Sequence, residues 1–238
     1  MGFKKLERFA EVATFPNVLQ LPKDMPGQWG GFFNNNHPIT LELACGKGEY
    51  SVGLGRMYPE RNFIGVDLKG VRIWKGAKIA LTENLQNIAF LRTPIDQITD
   101  YFTANEVAEI WLPFPDPQLR TSKAKKRLTH PKFLRKYQQI LKPNGIIHLK
   151  TDSPSLYRFT KWVIEIYDLP LIQDIEDIHA TGNVSDELKI KTHYEALDIA
   201  GSNRIHYLQF ELPATLLAEE KDQLLKEKLS EEVIDRRT

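Results

Sequence analysis

The stretch Ile39-Thr40-Leu41-Glu42-Leu43-Ala44-Cys45-Gly46-Lys47-Gly48 passes from a short apolar strand straight into a glycine turn. A helical pattern follows from about Glu49 to Met57, and a second strand, Asn62 to Asp67, ends in a carboxylate. Strand, glycine turn, helix, strand and acid, in that order, read as a β-α-β unit that holds a nucleoside. Gly46 and Gly48 lack β-carbons, so the backbone can approach a ligand there, and the helix start behind them offers free amides. Asp67 stands 19 residues after Gly48, where a carboxylate can accept from both ribose hydroxyls. A lone Gly-x-Gly is a weak signal; the ordered set around it gives it weight.

Outward from this unit the alternation continues. Val71, Trp74, Ala77, Lys78 and Leu81 fall at helical spacing in a segment ending near Asn84, and Ile88 to Leu91 is a third strand. Ile110-Trp111-Leu112-Pro113 is a fourth. Phe133, Leu134, Tyr137, Ile140 and Leu141 form one helix face, with Pro131 in the first turn and Lys142-Pro143-Asn144-Gly145 as the stop. A fifth strand is Ile146 to Lys150. Ser153 caps the next helix, with Pro154 at its first position. Two later strands, Leu169 to Ile175 and Arg204 to Leu212, flank a linking segment, 177–201. Strands alternating with helices predict a parallel sheet wrapped on both faces. Residues 1–37 read as an arm with one short helix, Lys5 to Ala13, residues 38–212 as the domain, and 213–238 as a charged helical tail. Leu217, Leu225, Leu229 and Val233 align along that tail, which packs either on the domain or on a second subunit.

Composition sets limits. At 238 residues, with 42% hydrophobic and 26% charged residues, the chain can bury the core of a soluble α/β domain. Its apolar runs stay below the ~18 residues of a membrane span, and nothing at Met1 to Phe15 reads as a signal peptide. One cysteine, Cys45, allows no internal disulfide and suits a reducing, cytoplasmic setting. Inside the glycine loop it reads as a packing residue. No histidine has metal-ligand spacing, so no metal is expected.

The charge is uneven. Asp116 to Lys136 holds eight basic residues and one acid, or +7; from chain totals of 32 and 31, the remainder holds 24 and 30, or −6. A basic patch on an acidic body suits a polyanionic partner such as nucleic acid. The patch follows Phe114-Pro115-Asp116-Pro117-Gln118 at the end of the fourth strand, so a proline-locked carboxylate faces a cationic loop.

The sign of the charge also narrows the nucleoside. Glu42 precedes the glycines as Glu-x-Ala-x-Gly-x-Gly, and Ser51 stands where a dinucleotide site prefers a third glycine. A carboxylate at this loop suits a cationic ligand better than a diphosphate. S-adenosyl-L-methionine, with its ammonium and sulfonium, matches. The motif is similar to that of class I methyltransferases, with Ala44 in place of the first glycine.

Taken together, these stretches resemble the bacterial tRNA (guanine-N7)-methyltransferase family from about Ile39 to Leu212. That family's Phe-x-Asp-Pro-Trp and basic loop correspond to Phe114 to Gln118 and Arg120 to Leu128. Lys150-Thr151-Asp152 and Thr192-His193-Tyr194-Glu195 complete the resemblance. It implies a Rossmann-like three-layer sandwich, a mostly parallel seven-stranded sheet with an antiparallel last strand. It also implies methyl transfer from S-adenosyl-L-methionine to N7 of a variable-loop guanosine in tRNA. The implied cofactor residues are Glu42, Gly46, Gly48, Asp67 and Asp116, the last also catalytic. Arg120, Asp152, Thr192 and Glu195 are implied for the RNA substrate, and Lys123, Lys125, Lys126 and Arg127 for its phosphates. A monomer or homodimer without an obligatory protein partner is expected. Gln118 departs from the tryptophan, and Thr93-Pro94-Ile95 from an acid near the adenine.

Three other readings stay open at this point. Amino-methyltransferases acting on adenine or cytosine place Asp/Asn-Pro-Pro-Tyr/Phe at this strand end, whereas Gln118-Leu119 follow Asp116-Pro117 here. An inactive RNA-binding module would fail to bind S-adenosyl-L-methionine. A nicotinamide-dependent reductase would bind NADH instead.

Overall fold

Every residue of Ile39–Leu43 and Asn62–Asp67 is buried, as in strands covered on both faces. A computed structural model, which describes residues 3–193, 195 and 204–235, shows what covers them. The strands are β1 (Val18–Gln20), β2 (Ile39–Leu43), β3 (Asn62–Asp67), β4 (Ile88–Arg92), β5 (Val107–Pro113), β6 (Leu141–Thr151), β7 (Leu171–Ile175) and β8 (His206–Leu212). The helices are α1 (Phe3–Val12), α2 (Trp29–Phe33), α3 (Glu49–Met57), α4 (Gly70–Thr82), α5 (Pro131–Gln138), α6 (Pro154–Ile166) and α7 (Asp222–Asp235).

One sheet runs β1-β4-β3-β2-β5-β6-β8-β7, parallel except for β8, which is antiparallel to both neighbours. Alternation along each strand sorts its side chains between two layers. Leu41, Ile110 and Ile147 face a core with Trp29, Phe133, Leu134, Phe159 and Val163, so α2, α5 and α6 cover this face. Trp111, Phe63 and Tyr207 face Tyr50 and Leu54 of α3, while Phe90 and Ile88 face Val52, Ile73 and Ala77 of α3 and α4. The three-layer sandwich is therefore present.

Among the described residues its sheet has eight strands rather than the seven expected. The eighth comes from the arm: Val18–Gln20 pairs parallel with Phe90–Arg92. A three-residue strand shows little alternation, and its pairing with β4 is invisible in local sequence. The arm is also anchored beyond its one expected helix. Trp29 of α2 is fully buried, stacks on Phe102 at 5.2 Å and donates to the Tyr101 carbonyl at 2.9 Å. Glu11 of α1 accepts from Trp74 Nε1 at 2.6 Å and Lys78 Nζ at 2.8 Å on α4.

β6 begins earlier than expected. Leu141 pairs with Val107 and the register then shifts, so that Ile146 pairs with Glu109. The residues between, read as a helix stop, also bulge the strand, with Asn144 at φ 57°. α5 is capped by His130, whose Nδ1 accepts from the Lys132 amide at 3.0 Å. Burial pushes the His130 imidazole down to about 4, which keeps that nitrogen an acceptor at neutral pH.

The tail docks on its own chain. Leu217, Leu225 and Leu229 are buried in the core, each contributing about 1.5–3 kcal/mol. Arg135 secures the approach by donating to the Leu217 carbonyl at 2.8 Å and pairing with Asp222 at 2.6 Å. Val233, Tyr194 and residues 196–203, which include the end of the linking segment, lie outside the residues whose side chains are described. Among the described residues no helix is long and apolar enough to cross a membrane.

Candidate active site

Parallel sheets leave a crevice at the carboxyl ends of their strands where the order of connection reverses. Here that point lies between β2 and β5, flanked by β3 and β6. The glycine loop follows β2, Asp67 ends β3, Asp116 follows β5 and Asp152 follows β6. Four separate stretches of sequence thus meet along one edge.

The glycine loop takes three left-handed residues: Ala44 (φ 58°), Gly46 (φ 56°) and Gly48 (φ 69°). Ala44 stands where glycine is unstrained, at a cost of about 1–2 kcal/mol. Gly48 has a second constraint, since a β-carbon there would lie 2.4 Å from Phe90 Cε1. α4 presses on the same loop through Gly76, whose added β-carbon would lie 2.6 Å from the Lys47 carbonyl oxygen. Asp67 ties loop to strand: Oδ2 accepts from the Gly46 amide at 3.0 Å and Oδ1 from the Lys69 amide at 2.8 Å. A carboxylate has about four acceptor positions, so two remain for ligand hydroxyls.

Glu42 is 3% exposed and braces the first turn of α3, accepting from the Ser51 amide at 2.7 Å and hydroxyl at 2.6 Å. Burial pushes its carboxyl up to about 8, against the lowering effect of the Ser51 bonds. Among the described residues no ion pair neutralises Glu42, Asp67 or Asp116. Asp67 and Asp116, without a cationic partner, fit a cationic nucleoside, while Glu42 is kept largely uncharged by burial. A neighbouring cleft of about 440 Å³ has the opposite character: four cations, Lys47, Arg56, Lys75 and Lys191, line it against one acid, Glu49, with Val52, Ile79 and Ile190. It suits anions, not a sulfonium.

Cys45 is buried and its thiol pushed well up by that burial, so it packs rather than reacts. Thr93, near the expected adenine position, is fully buried, with its amide donating to the Asp67 carbonyl at 3.3 Å.

The Asp116 turn is strained at both ends. Phe114 (φ 49°) and Gln118 (φ 46°) are left-handed, at about 1–2 kcal/mol each. The Phe114 amide donates to the Lys150 carbonyl at 2.7 Å, which ties the turn to β6. Asp116 is exposed; its Oδ1 accepts from the Gln118 amide at 3.0 Å. Oδ2 has no protein partner among the described residues.

Lys150 is the residue that sequence reasoning missed. It is fully buried, and its ammonium donates to the carbonyls of Leu188 (2.9 Å) and Ile190 (3.0 Å) and to Glu195 Oε2 (2.9 Å). Burial lowers its pKa, opposed by the Glu195 charge. It therefore anchors the segment carrying Thr192 and Glu195. That segment also sits on α3 through Ile190, since a β-carbon on Gly53 would lie 2.8 Å from Ile190 Cδ1. Glu195 is an ion-paired carboxylate with a side chain 7% exposed, and Thr192 Oγ1 accepts from its amide at 3.2 Å. A signal existed: period two puts Lys150 on the same buried face as His148, where a lysine needs partners. Asp152 is half-buried. Ser153, not Asp152, caps α6, accepting from the Leu156 amide at 3.3 Å.

The basic window splits in two. Lys132 pairs with Asp96 at 2.6 Å, Lys136 donates to the Asp96 carbonyl at 2.7 Å, and Arg135 holds the tail. Arg127, expected among the phosphate contacts, is 1% exposed. Its Nε donates to the Pro117 carbonyl at 3.2 Å, an Nη to the Gln118 carbonyl at 3.3 Å, and its guanidinium lies 4.4 Å from the Phe159 ring centroid. Burial removes it from the surface facing RNA. Arg120, Lys123, Lys125 and Lys126 stay exposed around a 3-10 turn, Thr121–Lys126, without a described protein partner.

Comparison with known proteins decides the family. The model of a family described as "Putative methyltransferase" matches residues 36–207. A Bacteroides thetaiotaomicron protein named tRNA (guanine-N(7)-)-methyltransferase is 48% identical over 93% of this chain and 91% of its own length. The chain belongs to this methyltransferase family. Another member of the same name, from Christiangramia forsetii, is 43% identical over 89% of this chain and 100% of its own. Among solved structures, the 16S rRNA methyltransferase KamB aligns with a TM-score of 0.59 over 79% of this chain and 93% of its own. At 14% identity that likeness establishes the methyltransferase fold alone.

Proposed function

We propose that this chain transfers a methyl group from S-adenosyl-L-methionine to N7 of a guanosine in the variable loop of tRNA. The observation that carries the reading is Asp116. It is an exposed carboxylate on the turn that follows β5, next to β2 and its glycine loop in the sheet. Four exposed cations, Arg120, Lys123, Lys125 and Lys126, come just after it in the chain, without a protein partner among the described residues. Membership of a family whose curated relatives are named tRNA (guanine-N(7)-)-methyltransferases supports it.

S-adenosyl-L-methionine, when bound, supplies an electrophilic methyl on a sulfonium. Asp67 would accept from the ribose hydroxyls through the lone pairs left free by the Gly46 and Lys69 amides. Gly46 and Gly48 would let backbone lie against the ligand, Asp116 would set a negative potential that favours its cationic end, and Glu42, kept largely uncharged by burial, would hold the start of α3 beside it. Guanine N7 carries a lone pair and no proton, so no general base is needed. Rate then comes from positioning and electrostatics. Asp116 can accept from the guanine N1–H and N2–H, which orients the base and stabilises the positive charge arriving on it. Asp152, Thr192 and Glu195 are assigned to the same base, Glu195 with one oxygen already committed to Lys150. Arg120 and the exposed lysines meet phosphates, which set affinity more than specificity. In this reading the enzyme acts in the cytoplasm, where tRNA resides, as a monomer or homodimer without an obligatory protein partner. Residues 38–212 form the methyltransferase unit in this reading, with 1–37 and 213–238 as appendages.

Incubating the protein with labelled S-adenosyl-L-methionine and unmodified tRNA, then identifying the nucleoside, tests the reading. N7-methylguanosine is the expected product. A methylated adenosine would instead support the amino-methyltransferase reading, and no incorporation would remove both.

Neutralising Lys123, Lys125 and Lys126 together weakens tRNA binding and lowers the slope of log affinity against log salt by roughly 2–3. The wild-type slope in the triple variant would place the RNA elsewhere. Arg127 is left out of this set because it is buried.

A further inference from the structure

We propose that Arg127 is a positioning residue that holds Asp116 in its working orientation, although it lies within a run of RNA-facing cations. The inference rests on the role of Asp116 given above. Its basis is where the guanidinium points. Burying a guanidinium is costly, and hydrogen bonds from it offset that cost. This one donates to the carbonyls of Pro117 and Gln118, the two residues that follow Asp116. Phe159 of α6 supports it from beneath at 4.4 Å.

The turn needs such a hold. Gln118 is left-handed (φ 46°) without being glycine, and its amide is the donor to Asp116 Oδ1. A chain free to relax leaves that region. When it does, the Gln118 amide swings away, and Asp116 loses the hydrogen bond that orients its carboxylate. The planar fork of arginine can engage two successive carbonyls; a lysine ammonium, a point donor on a flexible stem, is a poor substitute. Arg127 also links the basic segment to α5: its amide donates to the Ala124 carbonyl at 3.0 Å and its carbonyl accepts from the His130 amide at 2.9 Å. The clamp thus joins β5, the cationic loop and α6.

Arg127→Lys separates this role from phosphate binding. The expected result is a single-turnover methylation rate lowered roughly 10- to 100-fold, with tRNA affinity and its salt slope close to wild type. Adding Gln118→Gly should recover part of that rate, because glycine accepts the left-handed conformation without strain. A loss of affinity with a slope smaller by about 1 and an unchanged rate would make Arg127 a phosphate contact and overturn the proposal. A rate unaffected by Arg127→Lys, or a loss not relieved by Gln118→Gly, would also overturn it.

Phenylglyoxal modification of the wild-type protein gives a test that survives a variant failing to fold. Arg120 should react and Arg127 stay inert, with or without tRNA. An Arg127 that reacts in the free protein and is shielded by tRNA would reverse the assignment. Wild-type formation of N7-methylguanosine, measured alongside, shows whether a failure belongs to this inference or to the reading it rests on.

Discussion

Asp116→Ala lowers the single-turnover rate of methyl transfer by at least about 10²-fold, the scale of losing one preorganised electrostatic contact in a reaction centre. Binding of S-adenosyl-L-methionine persists in this variant, because the glycine loop and Asp67 are held by bonds that do not involve Asp116. Alanine removes both the charge and the acceptor for the Gln118 amide, so a second variant is needed to separate them. Asp116→Asn keeps a side-chain oxygen for that amide and loses only the charge. A large loss in both variants assigns the effect to the carboxylate's charge. A near-normal Asn variant with an inactive Ala variant would assign it to the turn. Rapid-quench methylation and cofactor titration measure the two quantities, and wild-type rates in both variants would take Asp116 out of the mechanism.

Gly48→Ala is expected to damage stability and cofactor binding together. Its new β-carbon meets Phe90 at 2.4 and 2.7 Å, and Phe90 is fully buried with Gly65 and Gly76 packed against it. The ring has little freedom to withdraw. Overpacking of this kind costs about 1–3 kcal/mol, and the left-handed φ adds about 1 kcal/mol. The melting temperature should then fall by on the order of 10 °C for a chain of this size. If the loop shifts to relieve the clash, the start of α3 moves with it, and cofactor affinity drops as well. Thermal unfolding and titration at a temperature where the variant is folded check both. An unchanged melting temperature would mean that the loop and Phe90 do not pack this closely in solution.

Much of the fold was legible because its signals are local. α3 and β3 occupy the expected residues, since a glycine turn, a helical stripe and a short apolar run each declare themselves within about ten positions. Ser153 and Pro154 start α6 as read, for the same reason. The eighth strand and the docking of Trp29 were not legible, because each depends on a partner far away in the chain: Phe90 to Arg92 for β1, Tyr101 and Phe102 for Trp29.

The candidate site divides in the same way. By itself the sequence determined the glycine turn, the acid at the end of β3, the proline-locked Asp116 and the excess of cations behind it. These follow from residue type and short-range order, where backbone freedom and charge sign are decided. Only the tertiary structure decided what each charge faces. Phe159, 32 positions on in the chain, lies against the Arg127 guanidinium, and the carbonyls of Leu188 and Ile190 take the Lys150 ammonium. Arg127 and Lys126 are neighbours of like charge in sequence, yet one is buried and the other exposed. The direction of a long cationic side chain is set by whether burial supplies enough acceptors to replace water, and those acceptors come from elements that only folding brings near.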